Sequence, residues 1–411
     1  MIMKALLVLF ATLALGHSTK VRYDNFEVYR IYPQNEEQLN ALREIEGHPS
    51  YSLWNDITHI NKNVDVMVAP HLRNQFRDFL CGFNYRVWIQ DVQKLIDAEE
   101  GPSEKATRDL NFRQYNDLDT IYDWMRNLAE TYPEVTLVEG GRSYENRPIL
   151  GVKVSFKPGN KIVFLEGGIH AREWIAPATV TYILDQLLTS TDPAVRSLAE
   201  SRDWYVFPLV NPDGYEFSRI EDRLWRKTRK PYTKLCFGAD ANRNWGYHWN
   251  DGGSTTFICA DTFAGKEAFS EIETKTLSEY ITTIADDLEA YIGFHSYSQF
   301  LLIPFGHKGL EVPANNKELH HLGNVAKDAI AKRYGTEYVV GNVPEVIYVA
   351  SGGSFDWVLG TFRHVKLAYT FELRDQGQSG FLLPPSQIIP TGEETLDGLV
   401  ALFKEYDASN K

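Results

Sequence analysis

Between residue 117 and the C-terminus, helical and strand-like periodicities take turns along the chain, and this alternation restricts the fold more than any other feature. Helical patterns occupy "DLDTIYDWMRNLAETYP", "EWIAPATVTYILDQLLTS", "FSEIETKTLSEYITTIADDL", "NKELHHLGNVAKDAIAKRYG" and "TGEETLDGLVALFKEY". Short apolar runs, "RPILGVKVS", "KIVFLEG", "WYVFPLVN", "EAYIGFH" and "KLAYTFEL", fall among them. Such a sequence predicts an α/β domain, a mixed, largely parallel sheet flanked by helices on both faces. No repeat period interrupts it, so one domain over residues 109–411 is expected. Ahead of it, residues 21–98 mix strand-like runs ("NFEVYRIYP", "VDVMVAP", "FNYRVWIQD") with helical ones, which reads as a small α+β unit.

Between the two lies "DAEEGPSEKATRDLNFRQYND", nearly free of apolar residues, an expected exposed linker and a site for proteolytic nicking. Lys105 and Arg108 offer a trypsin-like protease its cut sites, and Arg108 is preferred. Residues 1–16, "MIMKALLVLFATLALG", carry one lysine, an apolar run too short to span a bilayer and a small-residue cleavage site. A secretory signal peptide is expected, and with it secretion, an oxidising compartment and no membrane anchor. Residues 17–108 would then form a propeptide on a zymogen. The net charge of −13 argues against a nucleic-acid partner, since no basic excess remains to neutralise phosphates. A monomer is expected. Of three cysteines, Cys236 and Cys259 are close in sequence and lie in loop-like stretches, so they are paired, and Cys81 is expected as a buried apolar side chain.

Chemistry-bearing residues collect where the apolar runs end, which in an open α/β sheet is where ligands bind. "KIVFLEGG" leads to His170 and Glu173, "WYVFPLV" to Asn211 and Asp213, "EAYIGF" to His295, and "KLAYTF" to Glu372. His170 and Glu173, three residues apart, can share an ion, and His295 supplies a third ligand. Two histidines and a glutamate with an open fourth position suit a catalytic zinc. Asp240 is a candidate to accept the second ring N–H of a ligand histidine. Glu372 is either a general base or the ion-pair partner of Arg374. Arg226 and Arg243 suit recognition of a carboxylate by a planar fork.

The stretches "GIHAREW", "LVNPDGY", "LWRKTR", "DANRNW", "FHSYSQ", "ASGGSFDW", "TFELRD" and "GFLLPPSQIIPTGEET" resemble, in order and spacing, those of zinc metallocarboxypeptidases of the A/B digestive subfamily. The N-terminal unit similarly resembles their activation domain. The resemblance implies a secreted zinc carboxypeptidase zymogen, activated by a trypsin-like protease and acting on peptides and proteins with a free C-terminus, in digestion. His170, Glu173 and His295 match the three zinc ligands, the set known for carboxypeptidase A. Glu372 matches the general base, and Arg226 the residue polarising the scissile carbonyl. Asn242 and Arg243 match the pair that binds the terminal carboxylate, and Tyr348 the mobile tyrosine above it. Arg172, Ser296, Tyr297 and Phe381 match outer subsites, and Cys236–Cys259 the common disulfide.

Phe355 falls where A-type and B-type enzymes differ. A basic-residue specificity would call for an acid there, so apolar or aromatic C-terminal residues are expected, with Gly306, Leu302, Ala350 and Thr370 lining the rest of the pocket. The ring is bulkier than the usual aliphatic side chain: either it shortens the pocket or it turns aside. B-like specificity and a non-catalytic binding protein are the competing readings.

Overall fold

The computed structural model describes residues 20–45, 51–55, 57, 59–99 and 110–410. The expected signal peptide, Lys105 and Arg108 lie outside the described residues. The N-terminal unit is a four-stranded antiparallel sheet of β1 (Glu27–Tyr32), β2 (Tyr51–Leu53), β3 (Val64–Val68) and β4 (Asn84–Ile89), in the order β2-β3-β1-β4. Helices Glu36–Glu44, Arg73–Phe79 and Val92–Glu99 accompany it. Asn35 caps the first by accepting from the Gln38 backbone N–H, and Tyr29, Val66, Val68 and Phe76 fill one core. Cys81 does not belong to that core: it is exposed, just past the end of Arg73–Phe79, where the chain turns toward β4. Its apolar neighbours Leu80 and Phe76 take the inward positions, which leaves the Cys81 side chain on the outer side.

The second sheet has eight strands: β5 (Val135–Arg142), β6 (Pro148–Val154), β7 (Ile162–Gly167), β8 (Asp203–Phe207), β9 (Leu288–Ser296), β10 (Phe300–Ile303), β11 (Val339–Asn342) and β12 (Leu367–Leu373). Their order is β11-β10-β12-β9-β7-β8-β6-β5. The four central strands, β12, β9, β7 and β8, run mutually parallel, while β5, β6 and the β10/β12 pairing introduce antiparallel ladders. All five expected strands are present. β5, β10 and β11 are not among them, since β5 is largely exposed and ends in Glu-Gly-Gly-Arg, and the others have only four residues each.

Alternation along β7 divides the core. Val163 and Leu165 join Ile183, Leu399 and Leu402 of helices Ile175–Thr189 and Ile388–Ser409 on one face. Ile162 and Phe164 join Leu277, Ile281 and Val358 of helices Ile272–Ile284 and Ser354–Thr361 on the other. Phe164 is fully buried and stacks between Phe207 at 5.0 Å and Tyr291 at 5.4 Å. Phe164→Ala should therefore cost about 3–5 kcal/mol. Chemical denaturation of the full chain checks this, and a loss below ~1 kcal/mol would contradict the packing.

The two units meet over the carboxyl ends of the central strands. Tyr23, Val28, Trp54, Met67 and Ile96 share a cluster with Leu224, Tyr297 and Phe381 of the larger unit. Arg223 forms a buried two-pronged ion pair with Glu99 at 2.7 and 2.8 Å, which fixes the last helix of the small unit.

Candidate active site

β7 ends at Gly167, and the chain then turns through Gly168, whose φ of +67° favours glycine and where a Cβ would stand 2.8 Å from Leu209. That turn delivers His170 and Glu173 ahead of helix Ile175–Thr189. His295 and Glu372 are register partners in the parallel β9/β12 ladder, so their side chains leave the sheet on the same face. The Asn211–Asp213 cluster at the end of β8 is structural instead. Asn211 caps helix Pro212–Ile220 through the Gly214 N–H, and buried Asp213 accepts from the Ser143 hydroxyl, the Glu145 backbone N–H and the Arg147 guanidinium.

His170, Glu173 and His295 are each at least 96% buried and converge. His170 Nδ1 lies 2.8 Å from Glu173 Oε1 and 3.2 Å from His295 Nδ1, which lies 3.2 Å from Glu173 Oε2. Burial alone would raise the Glu173 carboxyl, but the two imidazoles outweigh it and hold it well below the ordinary range. Burial likewise opposes charge on His295, yet the hydrogen bond and charge of Glu173 carry its pKa up to about 9. Fully buried Asp240 accepts from His170 Nε2 at 2.9 Å, from the Asn242 N–H at 2.9 Å and from Arg226 Nη2 at 2.7 Å. Burial would raise Asp240 too, but the Arg226, His170 and Arg243 charges keep it well below its usual value. An ionised Asp240 takes the Nε2–H of His170 and leaves the Nδ1 lone pair facing a carboxylate oxygen and a second imidazole nitrogen. Protons on the imidazoles bridge these donors when no metal is bound, and a divalent cation would take their place; two imidazoles and a carboxylate converging this closely fit a zinc ion.

A cavity of about 370 Å³ opens from this cluster. Glu372 keeps one edge on it while protein surrounds the rest, and that desolvation pushes the carboxyl up to about 8. Arg374 is not its partner: it pairs with Glu394 at 2.7 Å and hydrogen-bonds Gln387, which closes the alternative left open by the sequence. Arg226, Asn242, Arg243, Ser296, Tyr297, Tyr348, Phe355 and Phe381 all line the cavity. Arg243 donates to the Tyr348 hydroxyl at 2.9 Å and to Gly253 O at 3.0 Å, and Asn242 Oδ1 accepts from the Ser354 N–H. Arg172 is not among the lining residues. It lies over the Phe381 ring at 4.1 Å and faces a second cavity, about 280 Å³, between the two units. Of the expected pocket wall, Leu302, Ala350 and Thr370 line the cavity, whereas Gly306 stands behind it, its N–H donated to Asp356. Cys236 and Cys259 are bonded.

Sequence reasoning missed Val343, Val346 and Ile347, which line the apolar end. The apolar letters of "VPEVI" beside Tyr348 were the available signal. It also missed the contribution of the small unit, whose Arg30, Trp54, Asn55, Lys62 and Asn63 face the same cavity. Arg30 and Asp65 form a buried two-pronged ion pair at 2.7 and 2.6 Å, and the Tyr297 hydroxyl donates to Asp65 at 3.2 Å.

Residues 121–398 match the zinc carboxypeptidase family, and residues 29–99 match the carboxypeptidase activation peptide. Zinc carboxypeptidase A 1 of Anopheles gambiae is 46% identical over 98% of this chain and 95% of its own length. Carboxypeptidase B of Astacus astacus is 44% identical over 71% of this chain and 96% of its own. The crystal structure of carboxypeptidase A from Helicoverpa armigera superposes with a TM-score of 0.85 at 29% identity, covering 95% of this chain and 99% of that one. Among the described residues, no helix is long and apolar enough to cross a membrane. The chain belongs to the zinc carboxypeptidase family and is a zinc carboxypeptidase that carries an activation peptide ahead of its catalytic domain.

Proposed function

We propose that the protein is a secreted digestive zymogen whose mature form removes apolar and aromatic residues from the C-termini of peptides. In this reading residues 1–16 are the leader, 17–108 the propeptide and 109–411 the monomeric enzyme. A trypsin-like protease releases the enzyme by cutting after Arg108, with Lys105 as the second choice.

His170, Glu173 and His295 would hold the zinc. The ion supplies Lewis acidity toward the scissile carbonyl and lowers the pKa of water beside it. Glu372 takes a proton from the attacking water and returns one to the leaving amine, a role that suits a carboxyl raised toward neutrality. Arg226, oriented by Asp240, donates to the oxyanion that develops on the carbonyl oxygen. Asn242 and Arg243 hold the terminal carboxylate, which an internal peptide bond cannot offer, and Tyr348 closes over it. Ser296, Tyr297, Phe381 and Arg172 serve the outer positions of the peptide. While the small unit is attached, Trp54 packs on Phe381 and Asp65 holds Tyr297, so those positions are occupied.

The observation that carries the A-like reading is the wall of the cavity. Leu302, Val343, Val346, Ile347, Ala350 and Phe355 form its far end, and among the described residues the only carboxylates on the lining are Glu173, itself a proposed zinc ligand, and Glu372 beside it. Asp356, next to Phe355, turns its carboxylate to the Gly306 N–H instead. A lysine or arginine side chain would enter without a counter-charge, at a cost of several kcal/mol. On matched peptides differing only in the last residue, the trypsin-activated enzyme should cleave Phe or Leu termini with kcat/KM at least about 100-fold above Lys or Arg. Preference for Lys or Arg would favour the B-like reading, toward which the likeness to the Astacus enzyme points.

A further inference from the structure

Away from the site just described, His248, His307 and Glu311 bring one ligand atom each to within 4.8 Å of one another. His307 follows β10 and is 2% exposed, and its Nε2 is buried without a hydrogen-bond partner. An orphaned buried ring nitrogen is costly unless something answers it. Glu311 Oε2 lies 3.5 Å from that nitrogen, long for an N–H···O bond, and accepts from the Tyr247 hydroxyl at 3.2 Å. The His248 ring lies parallel to the His307 ring at 3.7 Å, and its Nδ1 is 3.3 Å from Asp251 Oδ2. The same oxygen is 3.8 Å from His307 Nδ1. One Asp251 oxygen thus stands beside Nδ1 of both imidazoles, and His307 Nε2 faces Glu311.

We propose that His248, His307 and Glu311 form a second divalent-cation site, of the zinc class, with Asp251 orienting both histidines. Two imidazoles and one carboxylate are borderline donors that suit zinc and leave a position for water. Asp251 plays the part that carboxylates play behind ligand histidines. Two rearrangements accompany loading. Parallel rings cannot aim their lone pairs at one point, so His248, 41% exposed and in a left-handed turn at φ +48°, tilts toward the ion. His307 Nδ1, which accepts from the Gly309 N–H at 3.2 Å, gives up that bond and carries the ring proton released from Nε2, turned to Asp251. Arg363 is the competing cation, but it is 66% exposed and 3.8 Å from Glu311.

The position gives the ion a consequence. His248 and Asp251 precede Gly253, whose carbonyl holds Arg243 and where a Cβ would meet Val349 O at 1.6 Å. His307 follows Gly306, whose carbonyl accepts from the Ala350 N–H at 2.7 Å, and Lys308 N–H bonds Asp251 O. An ion here ties together the two loops that back the Ala350 wall of the cavity and the Arg243 guanidinium.

Equilibrium dialysis of the full chain against rising free zinc, with metal counted per chain by mass spectrometry, tests this. Wild type should reach two equivalents, and the second should raise the thermal midpoint. His248→Ala and Glu311→Gln, both at partly exposed positions, should each bind the second equivalent at least about tenfold more weakly, and Asp251→Asn should weaken it roughly 10–100-fold. His170→Ala should lose the first equivalent and keep the second, which separates this site from the proposed catalytic one. Saturation of wild type at one equivalent, or wild-type affinity for the second in either ligand variant, overturns the proposal.

Discussion

Glu372→Gln, in trypsin-activated enzyme, should lower kcat by roughly 10²–10⁴ while KM and zinc content stay close to wild type. The amide is isosteric with the carboxyl and can occupy the same place beside β9, but it cannot carry a proton from water to the leaving amine. Because Arg374 pairs with Glu394, the exchange leaves no arginine unpaired and should not destabilise the fold. A loss confined to kcat marks a group needed only in the transition state. A loss of zinc, or a rise in KM alone, would assign Glu372 to binding. The pH profile offers a second readout. The Glu372 carboxyl is raised toward neutrality by burial, so the base is lost as pH falls, and the acid limb of kcat should vanish in the glutamine variant.

Arg243→Ala should reduce kcat/KM on free-acid peptides by between about 30- and 5000-fold, the range for truncating one partner of a buried charged pair, roughly 2–5 kcal/mol. The informative comparison uses the same peptides with amidated C-termini. Wild type should lose a similar factor on the amide, and the variant should lose little more, because the interaction it lacks is already absent. Equal losses on both substrates would show that Arg243 acts through the loop it holds at Gly253 rather than on the carboxylate.

The central strands were legible because "KIVF", "WYVF" and "KLAYTF" are β-branched or aromatic runs buried on both faces, and the ends of such strands pointed to His170, His295 and Glu372. The edges were not. The apolar run of β5 stops at Glu139 and the Gly140–Gly141 pair, and β10 and β11 are too short to stand out from loop. Periodicity also cannot tell a cap from a catalytic group. Asn211 and Asp213 sit at a strand end like His170 does, yet their side chains serve a helix start and a loop. Nor does periodicity reveal contacts between distant segments. The Arg30–Asp65 pair set against Tyr297, Arg374 turned to Glu394, and Gly306 placed behind the pocket wall all depend on tertiary packing.

The proposed mechanism rests on one ion among three residues. Anomalous diffraction at the zinc edge, on crystals of the full chain grown with stoichiometric zinc, tests that directly. The prediction is a strong peak enclosed by His170 Nδ1, the Glu173 carboxylate and His295 Nδ1. Full occupancy elsewhere with none between those three side chains would contradict it.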